Sequence, residues 1–401
     1  MNEKELEKKA VAYSIKNALS HGGKAQIGSV ISGLFNEGLK KEELKKFGKK
    51  ISEIVEKINL MRLEKQEEEF KKLEKEVGKR KVREGLPELP NSKKGVIMRI
   101  APSPSGPFHI GHALIAGLNI LYVKKYGGKF YIRIEDTNPE KIYTPAYKML
   151  EQEGKWLSEN LAEIIIQSER MPLYYKYAEK LIKKSAAYVC TCSQEEFKKF
   201  ADSKKECPCR NSNAKINLER WKKMLDRKGF KEGEAVLRFK SDMTHKNPAM
   251  RDFPLARINE TTHPLQKNKY RVWPLMNLSV IVDDIELKMT HLIRGKDHRD
   301  NAERQKMVFK VLGKKYPWAF FMGRIHFKGL ELSTTEFRKN IEEKKYSGWD
   351  DPKLPTLASL KKQGYKPRAF LKFAEQVGLS EVDKIIDKEE YFKFLDAFNR
   401  E

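Results

Sequence analysis

Residues 99–112 read R-I-A-P-S-P-S-G-P-F-H-I-G-H, and they lie between two stretches of opposite character. Before the loop, Val96-Ile97-Met98-Arg99-Ile100 is short, β-branched and bounded by Gly95, the pattern of a buried strand. After it, Ala113 to Tyr122 is apolar over helical length. The reading is therefore strand, Pro/Gly loop, helix. Such a loop cannot extend the strand pairing, and the amides opening the next helix face outward with partial positive charge, where a phosphate would sit. His109 and His112 fall on one side of the first helical turn and can donate hydrogen bonds to phosphoryl oxygens. The same spacing also suits a metal ion or an ordinary helix face, and the residues alone leave those readings open.

The chain has 401 residues, enough for two to four domains with substantial cores. Hydrophobic residues make up 39% and charged residues 34%, the balance of a soluble protein. No apolar run approaches the ~18 residues of a membrane span, and the first residues carry charges throughout, so a cytoplasmic protein is expected with no membrane partner. Lys plus Arg number 81 against 56 for Asp plus Glu, a formal net charge of +25 that favours a polyanionic partner and salt-sensitive association. A general lysine bias would give the same number without function.

From Asn2 to about Lys79 the pattern is helical. One helix carries Leu6, Ala10, Tyr13, Ile15 and Ala18 and breaks at His21-Gly22-Gly23; a short one follows from Ile27 to Phe35. A third, long helix is expected from about Lys41 into the Lys/Glu-rich run 64–81, a solvated arm supported by i,i+4 pairs. Gly85-Leu86-Pro87-Glu88-Leu89-Pro90 interrupts helix as a linker.

Beyond the opening strand and helix, Tyr126-Gly127-Gly128 ends the helix and residues 129–134 supply a second strand, completing a βαβ unit. Glu135 and Asp136 then sit beyond the C-terminal end of a parallel strand, where open α/β sheets bind ligands. Thr144-Pro145 opens a helix toward Leu157, Ile164-Ile165-Ile166 reads as a third strand, and Pro172 starts another helix.

The cysteines occur as Cys190-Thr191-Cys192 and Cys207-Pro208-Cys209, separated by residues 193–206. In a reducing compartment two C-x-C pairs suit a tetrahedral, structural thiolate zinc site better than disulfides, with four free thiols as the alternative. Ala235 to Lys240 alternates as a half-buried strand, and the segment to Asn268 is broken by prolines. Residues 270–276, 278–284 and 287–294 return to dense apolar strand and helix, expected to form the second half of the parallel fold.

The loop 99–112 closely resembles the H-I-G-H signature of class I aminoacyl-tRNA synthetases, in the A-P-S-P-S-G-P form of the glutamyl branch. A second resemblance lies in R-V-W-P-L-M-N-L-S-V-I-V-D-D-I-E-L-K-M-T-H-L-I-R-G-K-D-H, residues 271–298. A third, G-G-K-A-Q-I-G-S-V-I-S-G-L, is similar to the helical extension of archaeal glutamyl-tRNA synthetases. Residues 346–357 and 361–369 resemble the helical stem-contact region shared by archaeal glutamyl and glutaminyl enzymes, with Trp349 and the following basic residues set to track the tRNA backbone or, more ordinarily, to pack. The likeness covers Glu3 to Glu401.

This resemblance implies an α/β protein. Its parts would be an N-terminal helical extension (1–84), a linker (85–95), the first half of a Rossmann-type parallel-sheet catalytic domain (96–170) and an inserted zinc-containing acceptor-binding subdomain (171–268). The second Rossmann half (269–330) and a KMSKS-like loop with stem-contact helices (331–401) would follow. It implies a glutamate–tRNA ligase using ATP with Mg2+, glutamate and tRNA(Glu), with tRNA(Gln) left open.

By motif position Pro102, Ser103, Pro104, Gly106, His109, Ile110, Gly111 and His112 would bind ATP, His109 and His112 at its phosphates and Gly111 by allowing close approach of the adenosine. Gly323-Arg324-Ile325 matches the segment whose backbone recognises adenine. Arg99 and Ser103 would hold the amino acid, Glu135 its ammonium, and Arg294 the side-chain carboxylate, favouring glutamate over glutamine; an ion pair of Arg294 with Asp297 or Asp300 is the alternative. Trp273 would supply an aromatic wall where Met276 replaces a tyrosine usual in bacterial relatives. Cys190, Cys192, Cys207 and Cys209 would hold Zn2+.

Two departures from the family pattern are evident. Residues 331–339, E-L-S-T-T-E-F-R-K, keep Ser333 of the second ATP motif but place Glu336 at the usual lysine, so Arg338 or Lys339 would have to reach the pyrophosphate. The chain also stops at Glu401, where relatives continue into a β-barrel anticodon-binding domain; a separate C-terminal chain, or a truncated paralogue, is expected. Two further readings stay open on this ground: a tRNA-binding paralogue with an impaired ATP site, and a truncated enzyme that glutamylates a modified tRNA base.

Overall fold

The computed structural model describes residues 3–77 and 85–400, which fall into two compact units divided after Glu84. The first is a small helical bundle. Its helices are α1 (Glu3–Leu19), α2 (Ile27–Asn36), α3 (Leu44–Asn59) and α4 (Leu63–Leu73). α3 buries Phe47, Ile51, Val55 and Ile58, one stripe at helical spacing, in a core shared with Leu6, Ala10, Ile15, Val30 and Leu34.

The single long third helix expected from Lys41 is in fact two helices. The chain turns at 60–62, and Gln66, fully buried, donates its side-chain amide to the carbonyls of Ile58 and Met61 at the end of α3 and to that of Gly23. The Ile58 carbonyl also accepts the Met61 amide at 3.0 Å, and a buried amide that bridges these helix-end carbonyls to that of Gly23 fixes the break. α4 consequently folds back on α1, with Lys8 ion-paired to Glu76, instead of standing out as an arm. Residues 78–81 of that expected arm lie outside the described residues.

The second unit is built on a parallel sheet. β1 (Val96–Ile100), α5 (Ile110–Tyr126) and β2 (Gly128–Ile134) make the opening βαβ unit; α6 (Ala146–Leu157) and β3 (Ala162–Ile166) extend it, with the order β1-β2-β3 all parallel. α7 (Met171–Lys183) then leads away. β4 (Ala187–Cys190), α8 (Gln194–Asp202), α9 (Ala214–Leu225), β5 (Val236–Phe239), β6 (Pro254–Ile258) and β7 (Val272–Pro274) follow, the strands forming one antiparallel sheet in chain order. The strand expected to open the second half of the parallel fold, β7, therefore closes this antiparallel sheet.

The parallel fold resumes with α10 (Met276–Glu286), β8 (His291–Gly295), α11 (Arg299–Val311) and β9 (Trp318–Met322), β8 and β9 being parallel. β8 joins β1 at Thr290, whose amide donates to the Ile97 carbonyl at 3.0 Å while its hydroxyl accepts from the Ile97 amide at 2.8 Å. The spatial order is then β3-β2-β1-β8-β9, with the connection reversing beside β1, the point where such sheets open a crevice at their C-terminal ends.

β10 (Ile325–Lys328), α12 (Thr334–Glu342), α13 (Leu357–Lys362), α14 (Pro367–Val377), β11 (Lys384–Asp387) and α15 (Lys388–Arg400) complete the chain, β10 and β11 pairing in parallel. α14 lies against α5 at Gly117, where an added Cβ would sit 2.8 Å from that of Ala374. One apolar core thus runs from β1 and α5 through Ile293 and Met322 to Phe370, Phe373, Tyr391 and Leu395. No helix among the described residues is long and apolar enough to cross a membrane.

Candidate active site

A cleft of about 470 Å³ opens at the C-terminal ends of β1, β2 and β8. Its walls include Arg99, Pro102, Ser103, His109, His112, Glu135 and Arg294, which the sequence had placed in one site from three separate stretches. Ser105, Met276, His298 and Thr334 also line it.

The histidines sit at the start of α5. Gly111 donates its amide to His109 Nδ1 at 3.1 Å, and His109 donates its own amide to His112 Nδ1 at 3.4 Å, so two orphan helix amides are capped by imidazoles. Each Nδ1 being an acceptor, each ring carries its proton on Nε2. The rings stack with centroids 3.8 Å apart. Burial, with His112 alongside, holds His109 well below the usual histidine range, and burial brings His112 to about 4. Both are neutral Nε2–H donors near pH 7, and among the described residues neither belongs to a metal-ligating cluster. Gly111 leaves room for this capping ring: a Cβ would stand 3.0 Å from His109 and push it by a few tenths of an ångström.

The turn itself is tied down on several sides. Phe108 donates its amide to Glu153 at 2.6 Å and accepts from the Leu357 amide at 2.8 Å, while the Ile110 amide donates to the Pro355 carbonyl at 3.1 Å. Ile110 is buried in the core and Gly106 packs against Trp349 and Thr334, so these two motif residues shape the loop from behind. Pro104 likewise stands back, its carbonyl accepting from Tyr143 at 2.8 Å. Trp349 is packed, donating to the Tyr143 hydroxyl at 3.3 Å.

Opposite the histidines lies a buried ionic network that sequence reading missed. Arg99 donates through Nε and Nη2 to Asp284 at 2.9 and 3.0 Å. Arg133, fully buried, donates to Asp284 at 2.6 Å and to Glu135 Oε1 at 2.8 Å. Burial alone would raise Asp284, but Arg99 and Arg133 hold it down to about 2. Arg99 is therefore already paired, and reaches the cleft as part of a neutralised cluster. The signal for this network was present: Arg133 is a charge inside the apolar run 130–134, two residues before Glu135 and on the same face, and Asp283-Asp284 is an acidic pair inside an apolar helix.

Arg294 is different. It is 7% exposed, donates to the Gln305 side chain at 2.7 Å, and among the described residues has no carboxylate within ion-pair distance. The expected alternative, a pair with Asp297 or Asp300, is not formed. Burial and then the neighbouring Arg99 press its pKa below the usual guanidinium range, the mark of a buried cation awaiting an anion.

A second cavity of about 240 Å³ adjoins the first through Ile115 and Gly295, and is lined by Gly111, Gly323, Arg324, Ile325 and His326. The backbone of Arg324 is engaged, its amide donating to Asp383 at 2.6 Å and its carbonyl accepting from Lys384 at 2.9 Å.

Besides Pro104, Gly106 and Ile110, four expected residues are not brought into the cleft. Trp273 is 1% exposed and stacks on His263, with ring centroids 4.9 Å apart, in the core of the antiparallel sheet; it forms no wall here. Ser333 caps α12, its hydroxyl accepting from the Glu336 amide at 3.2 Å, and it is Thr334 that faces the cleft, 3.0 Å from the Ser105 hydroxyl. Arg338 and Lys339 lie along α12 beside Glu342 and Glu343, at 3.7 and 4.0 Å, as ordinary i,i+4 pairs.

The four cysteines do converge. Their ligating atoms lie within 4.8 Å of one another, with Cys190–Cys207 and Cys192–Cys209 each at 3.8 Å. A tetrahedron of Zn–S bonds of about 2.3 Å has edges of roughly 3.8 Å, so the set fits zinc. Polar groups stand around it: the Thr191 amide donates to Cys209 Sγ at 3.4 Å with its hydroxyl also 3.4 Å away, and the Tyr188 hydroxyl, which donates to Asp252 at 2.8 Å, lies 3.6 Å from Cys207 Sγ.

Residues 95–401 match the sequence profile of the tRNA synthetases class I (E and Q), catalytic domain. The chain belongs to that family. A glutamate–tRNA ligase of Methanobrevibacter smithii is 42% identical over 385 residues, covering 95% of this chain and 69% of the relative. One from Pyrococcus furiosus is 42% identical over 397 residues, covering 95% and 68%. Among solved structures, a glutamate–tRNA synthetase from Elizabethkingia anophelis superposes with a TM-score of 0.51 at 20% identity, covering 75% of this chain and 69% of that one, a likeness of fold. The class I catalytic fold, with its parallel sheet and crevice, is thus the frame of this cleft.

Proposed function

We propose that the chain is the catalytic part of a glutamate–tRNA ligase, activating glutamate with ATP to glutamyl-AMP and passing the glutamyl group to the 3′ end of tRNA. The observation that carries this reading is Arg294, a buried guanidinium in the cleft with no carboxylate partner among the described residues. The side-chain carboxylate of glutamate supplies that partner; glutamine, with an amide, leaves the charge uncompensated at a cost of roughly 2 kcal/mol or more. The similarity to archaeal glutamate–tRNA ligases supports the same choice within a family that includes both amino acids.

In this reading Glu135 takes the substrate ammonium, with Arg99 and Ser103 at the adjoining wall. The α-carboxylate attacks the α-phosphorus of ATP and pyrophosphate leaves. Little covalent help is needed, and the chain's work is to position and to stabilise charge. His109 and His112 donate Nε2–H to phosphate oxygens. The adenosine lies toward Gly111 and the cavity of Arg324 and Ile325, and Mg2+ accompanies ATP as the substrate's ion. The thiolates of Cys190, Cys192, Cys207 and Cys209 hold zinc in a structural role, bracing the inserted sheet that meets the tRNA acceptor end. The partners are tRNA(Glu), with tRNA(Gln) as a second candidate; the setting is the cytoplasm.

ATP–pyrophosphate exchange with tRNA present tests the assignment. Exchange dependent on glutamate and not on glutamine supports it, and exchange with neither contradicts it. The position of Arg338 and Lys339 on α12 favours one second reading, a tRNA-binding paralogue with an impaired ATP site. Calorimetry separates the two, because the paralogue binds tRNA without measurable ATP affinity.

A further inference from the structure

Glu153 stands on α6, beneath the turn that presents the two histidines. It is 7% exposed, and its carboxylate accepts the Phe108 amide at 2.6 Å. α6 packs close against the sheet at Gly154, where an added Cβ would collide with Ile132 of β2, and this close approach brings the acid to hydrogen-bonding distance of the turn. Phe108 is the residue immediately before His109, and its ring packs 5.5 Å from that of His112. The Pro355 and Leu357 contacts on this turn are made by backbone alone, so Glu153 is the side chain that holds the Phe108 amide. A carboxyl in this position is costly. Burial pushes it up to about 8 against the opposing pull of the Phe108 amide and of Lys361.

We infer that Glu153 is a positioning residue for amino-acid activation, anchoring the Phe108 amide so that His109 and His112 are aimed at the α-phosphate as it changes charge. The inference rests on the reading that these histidines face ATP. It adds to that reading a group which touches neither substrate and acts only through the turn. An amide at position 153 keeps a carbonyl acceptor in the same place; an apolar side chain of the same length leaves the Phe108 amide buried and unpaired, free to draw the turn out of register.

The test is ATP–pyrophosphate exchange, with tRNA and glutamate, on Glu153→Gln, Glu153→Met and His112→Asn, with thermal unfolding of each. The expected result is that E153M folds yet loses ~10-fold or more in kcat, with the KM for glutamate changed less than ~2-fold, while E153Q regains most of that loss. Should E153M fail to fold cooperatively, Glu153→Asp, which withdraws the acceptor by one methylene, is expected to give the same split. The inference is overturned if E153M or E153D exchanges like the parent, or if E153Q is as impaired as E153M. If H112N also leaves exchange untouched, it is the histidine–ATP reading that has failed; if H112N abolishes exchange and E153M does not, only the role of Glu153 has.

Discussion

At the scale of single residues the cleft is a balance of charges in which, among the described residues, Arg99 and Arg133 are paired with carboxylates and Arg294 is not. Arg99 and Arg133 share Asp284, and Glu135 takes the remaining fork of Arg133. Arg294 is left with a neutral glutamine. Arg294→Gln is therefore expected to reduce kcat/KM for glutamate ~30-fold or more, about 2 kcal/mol, measured by exchange with tRNA present. His112 gives a pH prediction. Its folded pKa of about 4 lies below the 6.5 of an exposed histidine, so the fold holds it neutral while the unfolded chain takes up a proton. Stability is then lost as pH falls from about 6.5 toward 4, and H112N escapes that loss. Urea unfolding at pH 7 and 4.5 is expected to move the H112N–parent difference in the variant's favour by on the order of 2–3 kcal/mol.

The residues legible in the sequence were those whose chemistry is local or fixed by a motif: the histidine pair, Glu135, Arg294 and the four cysteines. Arg133 and Asp284 escaped because their partnership spans 151 positions, and nothing in either local pattern names the other. Trp273 was misplaced for the same reason, since His263 and the antiparallel sheet decide where its ring goes.

At the scale of elements, strand–loop–helix alternation predicted the first parallel half-sheet, β1-β2-β3, which the structure returns with small shifts at its ends; of the second half it anticipated β8 but not its partner β9. What the pattern could not supply was breakage and long-range pairing. The apolar stripe of α3 gives no hint of the turn at 60–62, because a buried Gln66 makes it. The β10–β11 pair was not foreseen, and β7 was assigned to the wrong sheet, because which strand accepts a partner depends on the edge left open. The network binding β1 and β2 to α10 is the device that aligns the two halves of the parallel fold. Asp284→Asn should therefore cost ~3–5 kcal/mol in urea unfolding by leaving Arg99 and Arg133 buried with too little counter-charge; a loss below ~1 kcal/mol would mean the halves are held by apolar packing alone.

At the scale of the whole molecule, a net charge of +25 on a chain whose catalytic cleft is largely neutralised inside means that the excess is carried elsewhere, available to a polyanion. Binding of tRNA is expected to weaken ~100-fold or more between 50 and 200 mM monovalent salt, followed by filter binding or fluorescence anisotropy, while the KM for glutamate stays nearly constant over that range. A tRNA affinity insensitive to salt would place recognition in shape and base contacts instead.

The central claim is that one cleft grips glutamate between Arg294 and Glu135 and presents it to a nucleotide held by the histidine pair. The most direct measurement is a crystal structure with a non-hydrolysable glutamyl-adenylate analogue. The side-chain carboxylate is expected on Arg294, the ammonium on Glu135, the phosphate mimic within hydrogen-bond reach of His109 or His112, and the adenine in the cavity of Gly323 to His326. An analogue bound with its carboxylate away from Arg294, or with no imidazole near the phosphate position, would contradict it.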